Sequence, residues 1–219
     1  MWSTARFFQI YGHEQEAPFA YALDAIKHRF HTNLNVTFME SISSIGDYAF
    51  SNCGRLYSVT IQNGVTSIGE EAFIYCDGLG SIVLPDSITS IGKNAFVYCE
   101  GLSSITLSNS LTSIKDSAFY GCIGLTSITI PDSVTSIEDS AFYYCISLAN
   151  ASLGSGLSSI GDWAFDYCDI LNSVEFKSSI ASGNFSSSNS FPGDLRAKYL
   201  TNGMGVYTRP MGGTVWTKQ

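Results

Sequence analysis

Six cysteines are the residues of this 219-residue chain whose chemistry first demands an account. They stand at Cys53, Cys76, Cys99, Cys122, Cys145 and Cys168, each 23 residues from the last. An even number of thiols can staple a small domain, but a disulfide framework joins unlike parts of a chain and its spacings are uneven. Equal spacing gives every thiol the same job in a repeated unit. Units stacked as strands would hold the thiols in a line about 5 Å apart. That separation lies inside the Cα window of a disulfide, so neighbours could bridge under oxidation. It also keeps the thiols from converging on one metal ion. The favoured reading is a small apolar residue packed into each layer.

Other reactive side chains lead no further. The three histidines, His13, His28 and His31, all precede the cysteines and accompany no recognisable nucleophile elbow. His28 and His31, with Glu14 and Glu16 nearby, have the elements of a zinc site, yet read more simply as polar residues on a solvated helix face. The stretch "GSGLSSIG" lacks the third glycine of a dinucleotide fingerprint. A column of Asp47, Glu70, Asp116, Asp139 and Asp162, interrupted by Lys93, resembles a calcium ladder. Each of these residues opens a turn, however, where free N–H groups favour a carboxylate without any cation. No enzyme activity, cofactor or metal is therefore assigned.

What positions these residues is a repeat. "SIGEEAFIYC" at 67–76 returns as "SIGKNAFVYC" at 90–99 and "SIEDSAFYYC" at 136–145. The register holds from Ile45 to about Ser182. One unit reads Ile137-x-x-x-Ala141-Phe142-x-x-Cys145-x-x-Leu148, followed by Ala151, Leu153 and Leu157. Phe50, Phe73, Phe96, Phe119, Phe142 and Phe165 form a column without exception, as do Leu56, Leu79, Leu102, Leu125, Leu148 and Leu171. A fixed period of this size marks a solenoid. In "LTSITIP" (125–131), Ile128 and Ile130 alternate with Thr129, the period of a strand with one buried face. Pro131, like Pro85, then ends the pairing. "EDSAFYYC" predicts a short helical or 3₁₀ turn. No unit can bury its own apolar edge, so neighbours must stack and their strands form a parallel sheet.

The L-x-x-I-x-I strand with "IGxxAFxxC" resembles the BspA-like bacterial leucine-rich repeat, treponemal type, over residues 34–182. The tail "LRAKYLTNGMGVYTRPMGGTVWTKQ" is similar to a C-terminal module of treponemal members. The fold class expected is an α/β solenoid, with a parallel β-sheet on one face, short helical or 3₁₀ turns on the other, and caps at both ends. Residues 1–33 are expected to form an N-terminal helical cap, with Phe19, Ala22, Leu23, Ile26 and Phe30 on one face. Residues 34–182 carry a half-repeat and six 23-residue repeats. The run "ASGNFSSSNSFPGD" reads as a loop, and 183–219 as a C-terminal cap with a short helix and a β-hairpin. The resemblance implies a surface-associated adhesion or interaction protein, at the cell surface or extracellular, with host matrix or cell-surface protein as partner.

Composition bounds the partners. A net charge of −8 is wrong for nucleic acid, whose phosphates attract a basic stripe. No run of about 18 apolar residues exists to span a membrane. The start, "MWSTARFFQIYGHEQEAPF", makes a poor signal peptide, which leaves the cytoplasm open as well. The strand's outward positions are small hydroxyls. The opposite side carries Ile74, Tyr75, Val97, Tyr98, Tyr120, Tyr143, Tyr144, Trp163 and Tyr167, with Ile123, Ile146 and Ile170 adjacent. Contiguous apolar patches mark interfaces, and tyrosine is a favoured hot-spot residue. Tyr75, Tyr98, Tyr120, Tyr143, Tyr144 and Tyr167 are the expected protein contact surface. Self-assembly into a homo-oligomer and carbohydrate binding by the same aromatics are the alternatives.

Overall fold

The computed structural model describes residues 6–10, 34–38 and 42–219. The 23-residue units coil into a solenoid, and each turn of the coil bonds to the next along three walls. The wide wall is the sheet. Its strands Ser81–Val83, Ser104–Thr106, Ser127–Thr129, Asn150–Leu153 and Ser173–Phe176 lie parallel, with partners such as Ile82↔Ile105 and Ala151↔Val174 one period apart. Leu56–Thr60 and Leu34–Phe38 precede them and pair as Val36↔Val59, with a bulge between Leu34 and Asn35. The narrow wall consists of two-residue Ser-Ile strands, running Ser44–Ile45, Ser67–Ile68 and Ser90–Ile91, then Ser113–Ile114, Ser136–Ile137 and Ser159–Ile160.

The third wall refines the expected helical turn. Along Gly46–Cys53 the amides alternate in direction. Those of Ala49, Ser51 and Cys53 donate to Gly46, Tyr48 and Phe50, three residues back. Those of Tyr48, Phe50 and Asn52 donate to the carbonyls of Glu70, Ala72 and Ile74 in the next unit. A continuous helix would aim every amide along its own axis and leave none for a neighbour. Left-handed backbone at Tyr48 (φ 57°) and Asn52 (φ 60°) breaks the 3₁₀-type bonding into single turns. The same pair of left-handed positions recurs in every unit, at Glu71 and Tyr75 through Trp163 and Tyr167.

Between the walls lies a core of columns. The Phe rings stack with centroids 5.0–5.3 Å apart from Phe50 to Phe165, each ring buried. Each buried ring contributes roughly 1.5–3 kcal/mol against leaving it in water. All six cysteines are buried, and no disulfide joins them. Each thiol from Cys76 onward donates to the carbonyl of the Phe 26 residues back, as Cys122 does to Phe96 at 3.2 Å. That carbonyl also accepts an amide of its own unit, so the thiol fills its second lone pair. Burial pushes the Cys76, Cys99, Cys122 and Cys168 thiols up from their ordinary range.

The acidic column bonds between units. Asp47 Oδ1 accepts the Glu70 amide at 2.7 Å, and Asp139 Oδ1 accepts that of Asp162 at 2.8 Å. Each of these carboxylates therefore caps the turn of the following unit. A second column behaves likewise: Asp86 takes the Asn109 amide at 2.9 Å and Asp132 that of Ser155 at 2.7 Å.

The ends extend the stack. Arg6–Ile10, within the segment read as a helical cap, is a strand lying parallel to Leu34–Phe38. The helix anticipated across Phe19–Phe30 and the three histidines lie outside the described residues. At the other end, the segment read as an aperiodic loop forms part of a seventh turn. Phe185 bridges Ile160, Ser188 and Ser190 accept the Trp163 and Phe165 amides at 2.8 Å, and Phe191 stacks on Phe165 at 4.6 Å. A helix at Leu195–Asn202 follows. Gly205–Thr208 then runs antiparallel to Ser173–Phe176, with Thr217–Lys218 outside it.

Candidate functional site

The six tyrosines meet in one ladder on the third wall. Tyr75 stacks on Tyr98 at 5.4 Å and 11°, and Tyr120 on Tyr143 at 5.0 Å and 16°. Between these pairs Tyr98 meets Tyr120 edge to face at 5.4 Å. Tyr167 closes the row, 5.2 Å from Tyr143 and 6.3 Å from Tyr144. Tyr75, Tyr144 and Tyr167 are 44%, 43% and 49% exposed, while the other three are half-buried. Of the apolar neighbours read from the sequence, Val97 is buried and Trp163 is exposed.

The row changes column midway, which the sequence conceals. Tyr75, Tyr98, Tyr144 and Tyr167 occupy the second left-handed position of their units; Tyr120 and Tyr143 stand one residue earlier. The crossing falls where Gly121 (φ 68°) replaces tyrosine. A Cβ there would lie 2.5 Å from Tyr98 Cδ1, so the absence of a side chain lets the Tyr98 ring lean across the turn. The only clue in the sequence was a single glycine in an aromatic column.

Neighbouring hydroxyls and carboxylates shape the electrostatics. Hydrogen bonding to Tyr120 raises the Tyr98 phenol, with burial and Glu100 adding to it; burial and the nearby Tyr167 and Asp166 raise that of Tyr143. Burial beside Glu100 raises the Asp77 carboxyl, and burial near Asp169 contributes to the same shift at Asp166. These carboxylates stand outside the repeated acidic columns of the sequence and gave no signal there. Among the described residues no cluster of three or more His, Cys, Asp or Glu side chains is placed to hold a metal ion, and no helix is long and apolar enough to cross a membrane.

A parallel sheet on one wall, a stacked Phe core and single turns opposite define a leucine-rich repeat solenoid. The chain belongs to the BspA type leucine rich repeat family, whose model matches in six copies over residues 29–147 and 66–191. The second match reaches Phe191, the last ring of the Phe stack. A T. pallidum leucine rich repeat protein of known structure is 29% identical, with a TM-score of 0.67 over 78% of this chain and 84% of that one. A Eubacterium ventriosum leucine-rich repeat protein is 25% identical, with a TM-score of 0.60 over 67% of this chain and 43% of that one. No curated protein matches. Solenoids of this family are in general protein-interaction scaffolds and typically non-enzymatic.

Proposed function

We propose that this chain is a non-enzymatic scaffold, at or outside the bacterial surface, that binds a protein of its surroundings across the tyrosine ladder. One observation carries the reading. The second left-handed position of the repeat is filled at low cost by Asn52 and Gly121, yet by tyrosine at 75, 98, 144 and 167. Left-handed backbone costs a residue with a Cβ roughly 1–2 kcal/mol, a penalty that Gly escapes and Asn relieves with its short polar side chain. Packing of the core does not require these rings, since the Phe column is already complete beneath them. Their presence in successive units gives a contiguous surface of the residue type that anchors protein interfaces.

The same geometry supplies a clean test. Asn52 already occupies the column, so Tyr75→Asn, Tyr98→Asn and Tyr167→Asn together respect the backbone. The triple variant should keep a cooperative melt near that of the parent. It should lose at least tenfold in affinity for whichever immobilised extracellular-matrix or cell-surface protein the parent binds. Retention of both partner binding and self-association in the triple variant would sink the reading.

A further inference from the structure

The ladder is charged at its ends and apolar in its middle. The position directly after each cysteine from Cys76 onward reads Asp77, Glu100, Ile123, Ile146 and Asp169 through successive units. Asp166 joins the last of these from the column of Tyr120 and Tyr143. Asp77, Glu100 and Asp169 are exposed, while Asp166 and the two isoleucines are half-buried. The ion pairs among the described residues lie elsewhere, joining Lys93 to Asp116, Lys115 to Glu138, Lys177 to Glu175 and Lys198 to Asp194. Arg209 approaches Asp169 from the C-terminal hairpin, but its guanidinium is turned to backbone carbonyls. Two like-charged groups of carboxylates thus border one aromatic row, and the repulsion within each is the kind that an incoming cation relieves.

Resting on the assignment of the ladder as the contact surface, we infer that its partner is an extended basic segment of another protein. Its Lys or Arg residues would lie over the Asp77–Glu100 and Asp166–Asp169 ends, with apolar residues between them over Ile123 and Ile146. Stacking uses the ring faces of Tyr75–Tyr98 and Tyr120–Tyr143 against one another, leaving phenol oxygens as acceptors for ammonium or guanidinium donors. Glu100 and Asp169 stand three units apart, about 14 Å at the spacing of stacked strands, and an extended chain covers that in about four to five residues. A second copy of this chain fits less well, because it would set acidic borders against acidic borders in a molecule already carrying −8.

Selection of random twelve-residue peptides displayed on phage, against the immobilised full chain, tests the inference directly. The selected peptides should be enriched in Lys and Arg spaced four to five residues apart. Synthesised, they should bind at least tenfold more weakly to a chain carrying Asp77→Asn, Glu100→Gln and Asp166→Asn, and to the parent chain when salt is raised from 50 to 500 mM. Circular dichroism melts of the variants establish that each is folded. Acidic or neutral peptides that still require Tyr75, Tyr98 and Tyr167 would overturn the basic partner but leave the ladder as the contact surface. Peptides indifferent to those tyrosines, or the absence of any enrichment, would overturn both.

Discussion

The side chains at the centre of each unit act in pairs across the stack. Phe119 lies between Phe96 and Phe142, at 5.3 and 5.2 Å, and has no exposed surface. Phe119→Ala should cost about 3–5 kcal/mol, because a ring-sized void cannot close between two rigid neighbours; urea unfolding measures this. The thiols make a separate prediction. The folded state holds Cys76, Cys99, Cys122 and Cys168 protonated above the pH at which an unfolded thiol ionises. The unfolded chain then binds fewer protons, so stability is complete at neutral pH and falls as pH rises above about 8.5. Denaturation at pH 7, 9 and 10 should show the decline, and a thiol reagent should label the native chain only as it unfolds. Gly121→Ala places a Cβ on left-handed backbone against Tyr98. It should cost about 1–2 kcal/mol and weaken binding at the ladder, read from a melt and an affinity measurement on the same sample.

At the scale of the element, side chains of one unit complete the backbone of the next. Asp132 accepts the Ser155 amide, and the bond lowers its carboxyl below the ordinary range. Its contribution is therefore present above that range and lost as pH falls through the depressed value. Asp132→Ala should lower the melting temperature at neutral pH and lose part of the parent's further drop in acid. Such turns also show what a single repeat conceals. The i→i−3 pattern was legible in "AFxxC" as a short turn. Its left-handed residues were not, because tyrosine and tryptophan are poor indicators of positive φ. The turn exists because its alternate amides have partners in the neighbouring unit, and that gain is invisible in the local sequence.

For the whole molecule the problem is ending a stack that has no natural last layer. Arg209 solves much of it. Its backbone amide bonds to Asn172 O at 3.0 Å, as the Asn172 amide bonds to Ala149 O one unit earlier. Its buried guanidinium donates to the carbonyls of Leu171, Asp169, Cys168 and Gly213, 5.1 Å from the Trp216 ring. Arg209→Met would leave several of these carbonyls without a donor. A loss of about 3–5 kcal/mol is expected, the order seen when one member of a buried charged network is removed. Light scattering should also show association through the opened end.

Periodicity alone determined the solenoid, its six complete layers and the parallel sheet. A residue type restated every 23 positions has only one way to be buried with its copies, in a column. Two adjacent aromatic columns made the six tyrosines legible as one surface. Only the tertiary structure decided how the row crosses at Gly121, which carboxylates border it, and how Phe185 and Phe191 prolong the core past the last regular repeat. Phe185 follows Ile160 by 25 residues and Phe191 follows Phe165 by 26, where the period is 23, so the pattern dissolves by two and then three residues while the geometry survives. The physical reason is common to all three. A column requires only that like residues stack, whereas a crossing, a border or an end depends on unlike residues brought together from adjoining turns.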